Sequence, residues 1–379
     1  MNNRIKYLYI IWSIFMLLTC YVFGARHDYL AYLNHWNLLL EGKNSWATNE
    51  TNVGHNAYGP FHSFSAYLLI FGTLGPKFFQ AILFLIANYV LLKELIKNNF
   101  FLEKNNLAFY LLAIPGNFLI IVFSFILGVN DTLVASIILF AVLLRLDEKN
   151  YFAGFLIGFA ALLKYFPLFL LPFFALKKEK KLEWKVVISG LITIIVGLLF
   201  SLYMWGDGFV NSIIYGSARD PKTLSILKAI SQTFNIDQLG ETGKYIWDLI
   251  LKYNFIFVCV SVGVVFLISL KLNLHFLVAA ILGLWTVLLV YKVGHANFYL
   301  TWLMMVMSLS LIENKNKDSV LLQACCYPFM IFLSIYAWGF VFGTDGYTNE
   351  SSFIRDIVGY VSFYLGFGGI IYFFLARKK

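Results

Sequence analysis

The chain has 379 residues, of which 60% are hydrophobic and 13% charged, with a formal net charge of +9. A soluble globular chain carries about 45–50% apolar and about 25% charged residues, so a soluble single-core protein is excluded. The basic excess falls in short clusters between apolar runs, such as NNRIK at the start, KKEKK at 177–181 and ARKK at the end. That distribution speaks against nucleic-acid binding and for loops on the cytoplasmic side of a membrane.

Apolar runs of about 18 residues or more recur along the chain with a helical period. The expected fold class is therefore all-α, a polytopic integral membrane protein with about a dozen membrane helices in a single domain, 1–379. Arg4 and Lys6 precede the first span, 7–24, which runs outward from a cytoplasmic N-terminus. This run is too long for a signal-peptide core, and its LLTC departs from a lipoprotein cleavage box at Thr19, so it reads as an uncleaved helix.

A first external loop, 25–76, comes next and opens with RHDYLAYLNHW at 26–36. From Asp28 to Leu40, Leu33, Trp36 and Leu40 share one helical face, and Asp28, Tyr32 and His35 share another. The spacing predicts a helix lying in the outer interface. Asp28 then either caps that helix at the membrane edge or turns its carboxylate toward a cavity. Tyr58-Gly59-Pro60-Phe61 opens a second short apolar helix.

Residues 78–97 run inward, 107–127 outward to Gly128-Val129-Asn130-Asp131, and 132–146 inward again. Residues 151–176 lie between two basic clusters, RLDEK and KKEKK. One span would put those clusters on opposite sides. A hairpin hinged at Lys164-Tyr165-Phe166-Pro167 keeps both inside, and the proline favours a break. A broken helix at membrane depth must face protein or a water-filled cavity, so the hairpin implies a polar cavity near Lys164. Residues 186–204 lead to a second external region, 205–247, and the spans 248–270, 274–291, 298–312, 320–342 and 357–376 complete the chain with its C-terminus cytoplasmic.

Few ionisable groups need a role. Lys164 is the basic residue read at membrane depth, either functional or snorkelling to an interface. Lys292 and His295 sit at the external end of a late span, and Arg219 and Lys222 lie in GSARDPK on the second external region. These two either meet a lipid phosphate or belong to a solvated loop. Asp131 either orients His295 or caps the helix beginning at Thr132. Cys20, Cys259, Cys325 and Cys326 fall in apolar runs without redox spacing, and the spacing of His27, His35, His55 and His62 matches no zinc pattern, so no metal is expected. Asn49-Glu50-Thr51 and Asn349-Glu350-Ser351 are glycosylation sequons on predicted external loops.

The first loop, with Asp28-Tyr29, then Leu39-Leu40-Glu41-Gly42-Lys43-Asn44, then Tyr58-Gly59-Pro60, resembles that of the GT-C superfamily of glycosyltransferases. There an acidic residue and an aromatic open the loop, and Leu-Leu-x-Gly-x-Asn and a Tyr-Pro-Pro-like turn come after them. Gly59 departs from the double proline, and Ser45-Trp46 stands where Pro-Tyr is usual. Residues 126–176 are similar to the central block of glycosyltransferase family 87. Gly128-Val129-Asn130-Asp131 stands for its Gly-Gln-x-Asp or Asn, with Val129 for glutamine. Ala153-Gly154 with Gly158 matches its Ala-Gly-x-x-x-Gly, and Lys164 with Pro167 its Lys-x-x-Pro. GHANFYLTWLMM from Gly294 resembles the family's late His-x-x-Tyr-like block.

The resemblance implies a GT-C-like fold and hexose transfer, with mannose the expected sugar, from a polyprenyl-phosphate donor to a lipid or glycan acceptor. It implies an extracytoplasmic site in a bacterial inner membrane, inversion, Asp28 as base, and no cofactor. Lys164, Lys292, His295, Arg219 and Lys222 are candidates for the donor phosphate or sugar, and Tyr32, His35, Tyr58, Asn130 and Asp131 are candidates for support. Two other classes, a lipid-linked sugar flippase or transporter and a polysaccharide polymerase or ligase, share the many spans. A flippase predicts charges spread through the spans, and a polymerase usually lacks a carboxylate directly after its first helix.

Overall fold

A computed structural model of the chain describes residues 2–46, 56–102, 104–213, 221, 224–234, 238, 240–312, 317–342 and 352–377. Among these the regular structure is helical, apart from one isolated bridge between Leu176 and Leu182. The first half runs through α1 (Asn2–Phe23), α2 (Asp28–Leu40), a 3-10 helix (Pro60–Phe71), α3 (Gly75–Lys97), α4 (Lys104–Ala113) and α5 (Phe118–Ile120), which continues as a π-helix (Ile121–Leu127). It goes on through α6 (Asp131–Leu146), α7 (Asn150–Leu163), a 3-10 turn (Phe166–Leu170), α8 (Leu171–Phe174) and α9 (Trp184–Trp205). The later helices are Ile226–Thr233, Glu241–Lys252, Asn254–Lys271, Phe276–Val290, Tyr299–Ser308, Lys317–Phe342 and Ser352–Ala376.

Among the described residues, 6 helical stretches are long and apolar enough to cross a membrane. Several others are shorter apolar helices of 10–17 residues, so the long helices by themselves do not establish the expected dozen membrane helices. Two predicted spans are interrupted. Pro115-Gly116 ends α4, and the chain restarts where the Asn117 side chain accepts from the Leu119 N–H. The predicted 248–270 span divides at Tyr253, and just past the break Asn254 Nδ2 donates to Val290 O and its Oδ1 accepts from the Lys292 N–H.

Phe276–Leu289 and Tyr299–Ser308 are buried on every side and form the centre of the bundle. The rim is the reverse. Ile11, Phe15 and Leu18 on α1, Ile195 and Leu199 on α9, and Phe255, Val260 and Leu267 on Asn254–Lys271 are exposed, as lipid-facing surfaces require. Cys259 lies on that rim, while Cys20, Cys325 and Cys326 are buried.

Residues 151–176 form the hairpin. Arg145, just before it, donates from Nε to Phe174 O (2.9 Å) and from Nη2 to Leu176 O (3.2 Å), and Asn150 donates to Glu183 (3.1 Å). Both basic clusters therefore lie at one end of the bundle and the Lys164 hinge at the other. Glycines let α7 lie close along α9. A Cβ on Gly154 would stand 2.2 Å from Val186 O, and one on Gly158 would stand 2.6 Å from Gly190 O. This is the small-residue packing by which membrane helices approach.

Candidate active site

The Lys164 end of the bundle is built from four segments. The first is α2, which has the predicted bounds. Tyr29, Tyr32, His35 and Trp36 are buried, whereas Leu40 is exposed. On the apolar face Trp36 is buried and Leu33 packs beside it, and the Tyr32–His35 side is buried as well because the 3-10 helix Pro60–Phe71 offers ring partners. Trp36 Nε1 donates to His62 O (3.2 Å), and the His62 ring lies 4.9 Å from Tyr32 and 5.1 Å from Trp36.

Asp28 is the first residue of α2, not its cap; the cap position is His27, held at φ 46°. A non-glycine residue there stores strain of order 1–3 kcal/mol, and such residues cluster at functional sites. Asp28 is half-buried, and its carboxylate faces the favourable pole of the helix dipole.

The second segment is the Tyr58-Gly59-Pro60 turn. Tyr32 and Tyr58 share a hydrogen bond between hydroxyls (2.6 Å). Gly59 N–H donates to Leu163 O (3.1 Å) at the carboxyl end of α7, and a Cβ on Gly59 would stand 2.2 Å from Leu162 O. This explains the departure from a double proline. A proline here would lack the donor, and any side chain would strike the α7 backbone.

The third segment is the hairpin hinge and the fourth is the start of α6. Lys164 Nζ bonds both oxygens of Asp131, at 2.7 and 2.8 Å, and both side chains are buried. Asn297 Nδ2 donates to the same carboxylate (2.6 Å). The ammonium lies 3.7 Å from the centre of the Phe298 ring and 5.3 Å from that of Tyr58. The cap position of α6 is Asn130, so Asp131 does not cap a helix beginning at Thr132. It opens α6 itself and matches Lys164. Asn130 Nδ2 reaches toward Leu163 O at 3.5 Å.

Burial, together with the charges of Tyr58, Asp28 and Asp131, holds the Tyr32 hydroxyl well above its usual range. Burial, with His35 and Lys164 nearby, pushes His62 well below the usual imidazole range, so it is neutral. Among the described residues both His62 nitrogens, Asn130 Oδ1 and Thr132 Oγ1 have no protein hydrogen-bond partner.

The remaining candidates divide. His295 joins the site through Phe298, its ring 5.4 Å from the same ring that underlies Lys164. Lys292 Nζ donates to Leu251 O (3.2 Å) at the end of Glu241–Lys252. Arg219 and Lys222 lie outside the described residues, as do His55 and both sequons. Among the described residues no three His, Cys, Asp or Glu side chains converge as a metal site. Sequence reasoning missed Asn297 and Lys77. Asn297 stands two residues after His295 in GHANF, where an amide carries no distinctive signal. Lys77 begins α3 in GPKFF and reads like any lysine flanking a span.

The model for glycosyltransferase family 87 matches residues 57–312. The chain belongs to glycosyltransferase family 87. It is a membrane glycosyltransferase, and the match takes in Tyr58, Asn130, Asp131, Lys164 and His295, while α2 with Asp28 lies ahead of it. A search of curated proteins found no match.

Proposed function

We propose that this membrane glycosyltransferase moves a hexose, mannose, from a polyprenyl-phosphate donor to a hydroxyl of a lipid or glycan acceptor. Transfer takes place on the extracytoplasmic face of a bacterial inner membrane, with both termini cytoplasmic. The observation that carries the reading is the buried Asp131–Lys164–Asn297 cluster, whose ammonium lies 5.3 Å from the ring of Tyr58, the hydrogen-bonded partner of Tyr32 one helical turn after Asp28.

In this reading Asp28 takes the proton of the acceptor hydroxyl as that oxygen attacks the anomeric carbon. The glycosyl–phosphate bond breaks, and its electron pair leaves with the polyprenyl phosphate. Base and leaving group on opposite faces of the sugar give inversion. Lys164 and His295, both against the Phe298 ring, face the departing phosphate. Lys292, Arg219 and Lys222 are further candidates along the path of the donor. In this reading side chains supply the stabilising charge and no cofactor takes part.

The test is transfer of labelled mannose from polyprenyl-phosphate mannose to native membrane glycolipids, by wild type and Asp28→Asn in lipid. Label is expected to move with wild type only. Equal transfer by both removes Asp28 from the chemistry. No transfer by folded wild type from mannose, glucose or arabinose donors sinks the donor class.

A further inference from the structure

Lys77 is fully buried in the first turn of α3, and its partners are backbone. Its Nζ donates to Gly24 O at 2.7 Å and to Ile126 O at 2.6 Å. Gly24 lies just past α1, four positions before Asp28. Ile126 lies near the end of the π-helix, five positions before Asp131. One ammonium therefore clamps the two backbone segments that lead into the two carboxylates of the site.

The surroundings are shaped to this clamp. Gly128 sits at φ 67°, and a Cβ there would stand 2.7 Å from Lys77 Cγ and 2.9 Å from Cδ. The Lys77 backbone N–H donates to the Tyr29 hydroxyl (3.2 Å), which donates in turn to Thr73 O (2.8 Å). Tyr29 comes directly after Asp28, so the same residue holds α2 from a second side. Burying an ammonium is costly, and here carbonyl oxygens offset that cost. An apolar residue would pack the same space without it. The π-helix is a further irregularity of the kind that accumulates at functional sites.

We propose that Lys77 is a positioning residue for glycosyl transfer, setting the separation between the Asp28 carboxylate and the Asp131–Lys164 pair. The claim rests on Asp28 being the base, and its test is chosen so that the two fail separately. Lys77→Met keeps the stem and removes the clamp. Displacing a reacting group by an ångström costs up to about 10²-fold, so kcat is expected to fall roughly 10–100-fold. The donor KM is expected to stay within about twofold, because the groups that hold the donor are untouched.

Amide hydrogen exchange is expected to rise at residues 24–30 and 126–132 and to stay at the wild-type level in the rest of the bundle. Exchange needs no substrate, so it reads the clamp even if wild type proves to use another donor. Wild-type kcat in folded Lys77→Met overturns the proposal, as does exchange raised evenly through the bundle. If Lys77→Met does not fold, Tyr29→Phe decides. It removes the second tie and is expected to lower kcat several-fold at constant donor KM; unchanged kcat overturns the proposal.

Discussion

The two ends of the α7 hairpin each bury a basic side chain, and they treat it differently. At one end Arg145 commits its guanidinium to the carbonyls of Phe174 and Leu176 and stacks on Phe276, 4.8 Å from the ring centre. At the other end Lys164 faces a carboxylate, to which the Asn297 amide also donates, and two aromatic rings. Around Arg145 the partners are backbone that helix ends leave unsatisfied, which is what an anchor needs. Around Lys164 the partners are side chains, with Asn130 Oδ1, Thr132 Oγ1 and both nitrogens of His62 left over. The Arg145 neighbourhood has an orphan of its own in Asn150 Oδ1, so the contrast is one of degree. A buried polar group without a partner costs about 1–3 kcal/mol.

The sharpest way to break this contrast is to take the Lys164 end apart one charge at a time. Asp131→Leu strands a buried ammonium and is expected to cost about 3–5 kcal/mol, read by chemical denaturation in detergent. Asp131→Leu combined with Lys164→Met is expected to recover most of that loss while transfer stays low, because the pair's value lies in the site and not in stability. Failure of the double variant to regain stability would make the pair a structural anchor like Arg145.

Arg145→Met should destabilise by about 1.5–3 kcal/mol through its lost charged hydrogen bonds. The folded fraction is expected to transfer sugar at the wild-type rate. Asn297→Ala removes one charge-assisted bond to Asp131, a net loss of about 1.5–3 kcal/mol, and is expected to lower transfer where Arg145→Met does not.

The smallest expected effect is a pH dependence. His62 is held neutral below its ordinary value of 6.5, whereas the unfolded chain takes up a proton there. The unfolded state then binds more protons, so stability is complete above about pH 6.5 and falls as the pH drops below it. His62→Phe is expected to flatten that fall, measured as the denaturation midpoint between pH 7 and pH 5.

Much of this was legible in the amino-acid order. Asp28–Leu40 could be bounded because its apolar and polar residues recur at steps of three and four, and the hairpin because a proline stood between two basic clusters. What escaped were relations between distant segments. Tyr32 and His35 read as a polar face, and only the rings of Tyr58 and His62 make that face a buried one. Asp131 was visible as a carboxylate at a helix start, but its partner lies 33 positions away and depends on how the hairpin folds back. Lys77 escaped for a physical reason. A lysine at the first turn of a span is ordinarily a snorkelling cation, and nothing local says that Gly24 and Ile126 will close over it.

The most direct test compares kcat for sugar transfer by Asp28→Asn and Arg145→Met, at equal amounts of folded protein in the same lipid. Asp28→Asn is expected to lose about 10²–10⁴-fold, the contribution of a general base, and Arg145→Met to keep the wild-type rate. Wild-type turnover by Asp28→Asn, or an equal loss in both variants, would contradict the assignment of the chemistry to the Lys164 end.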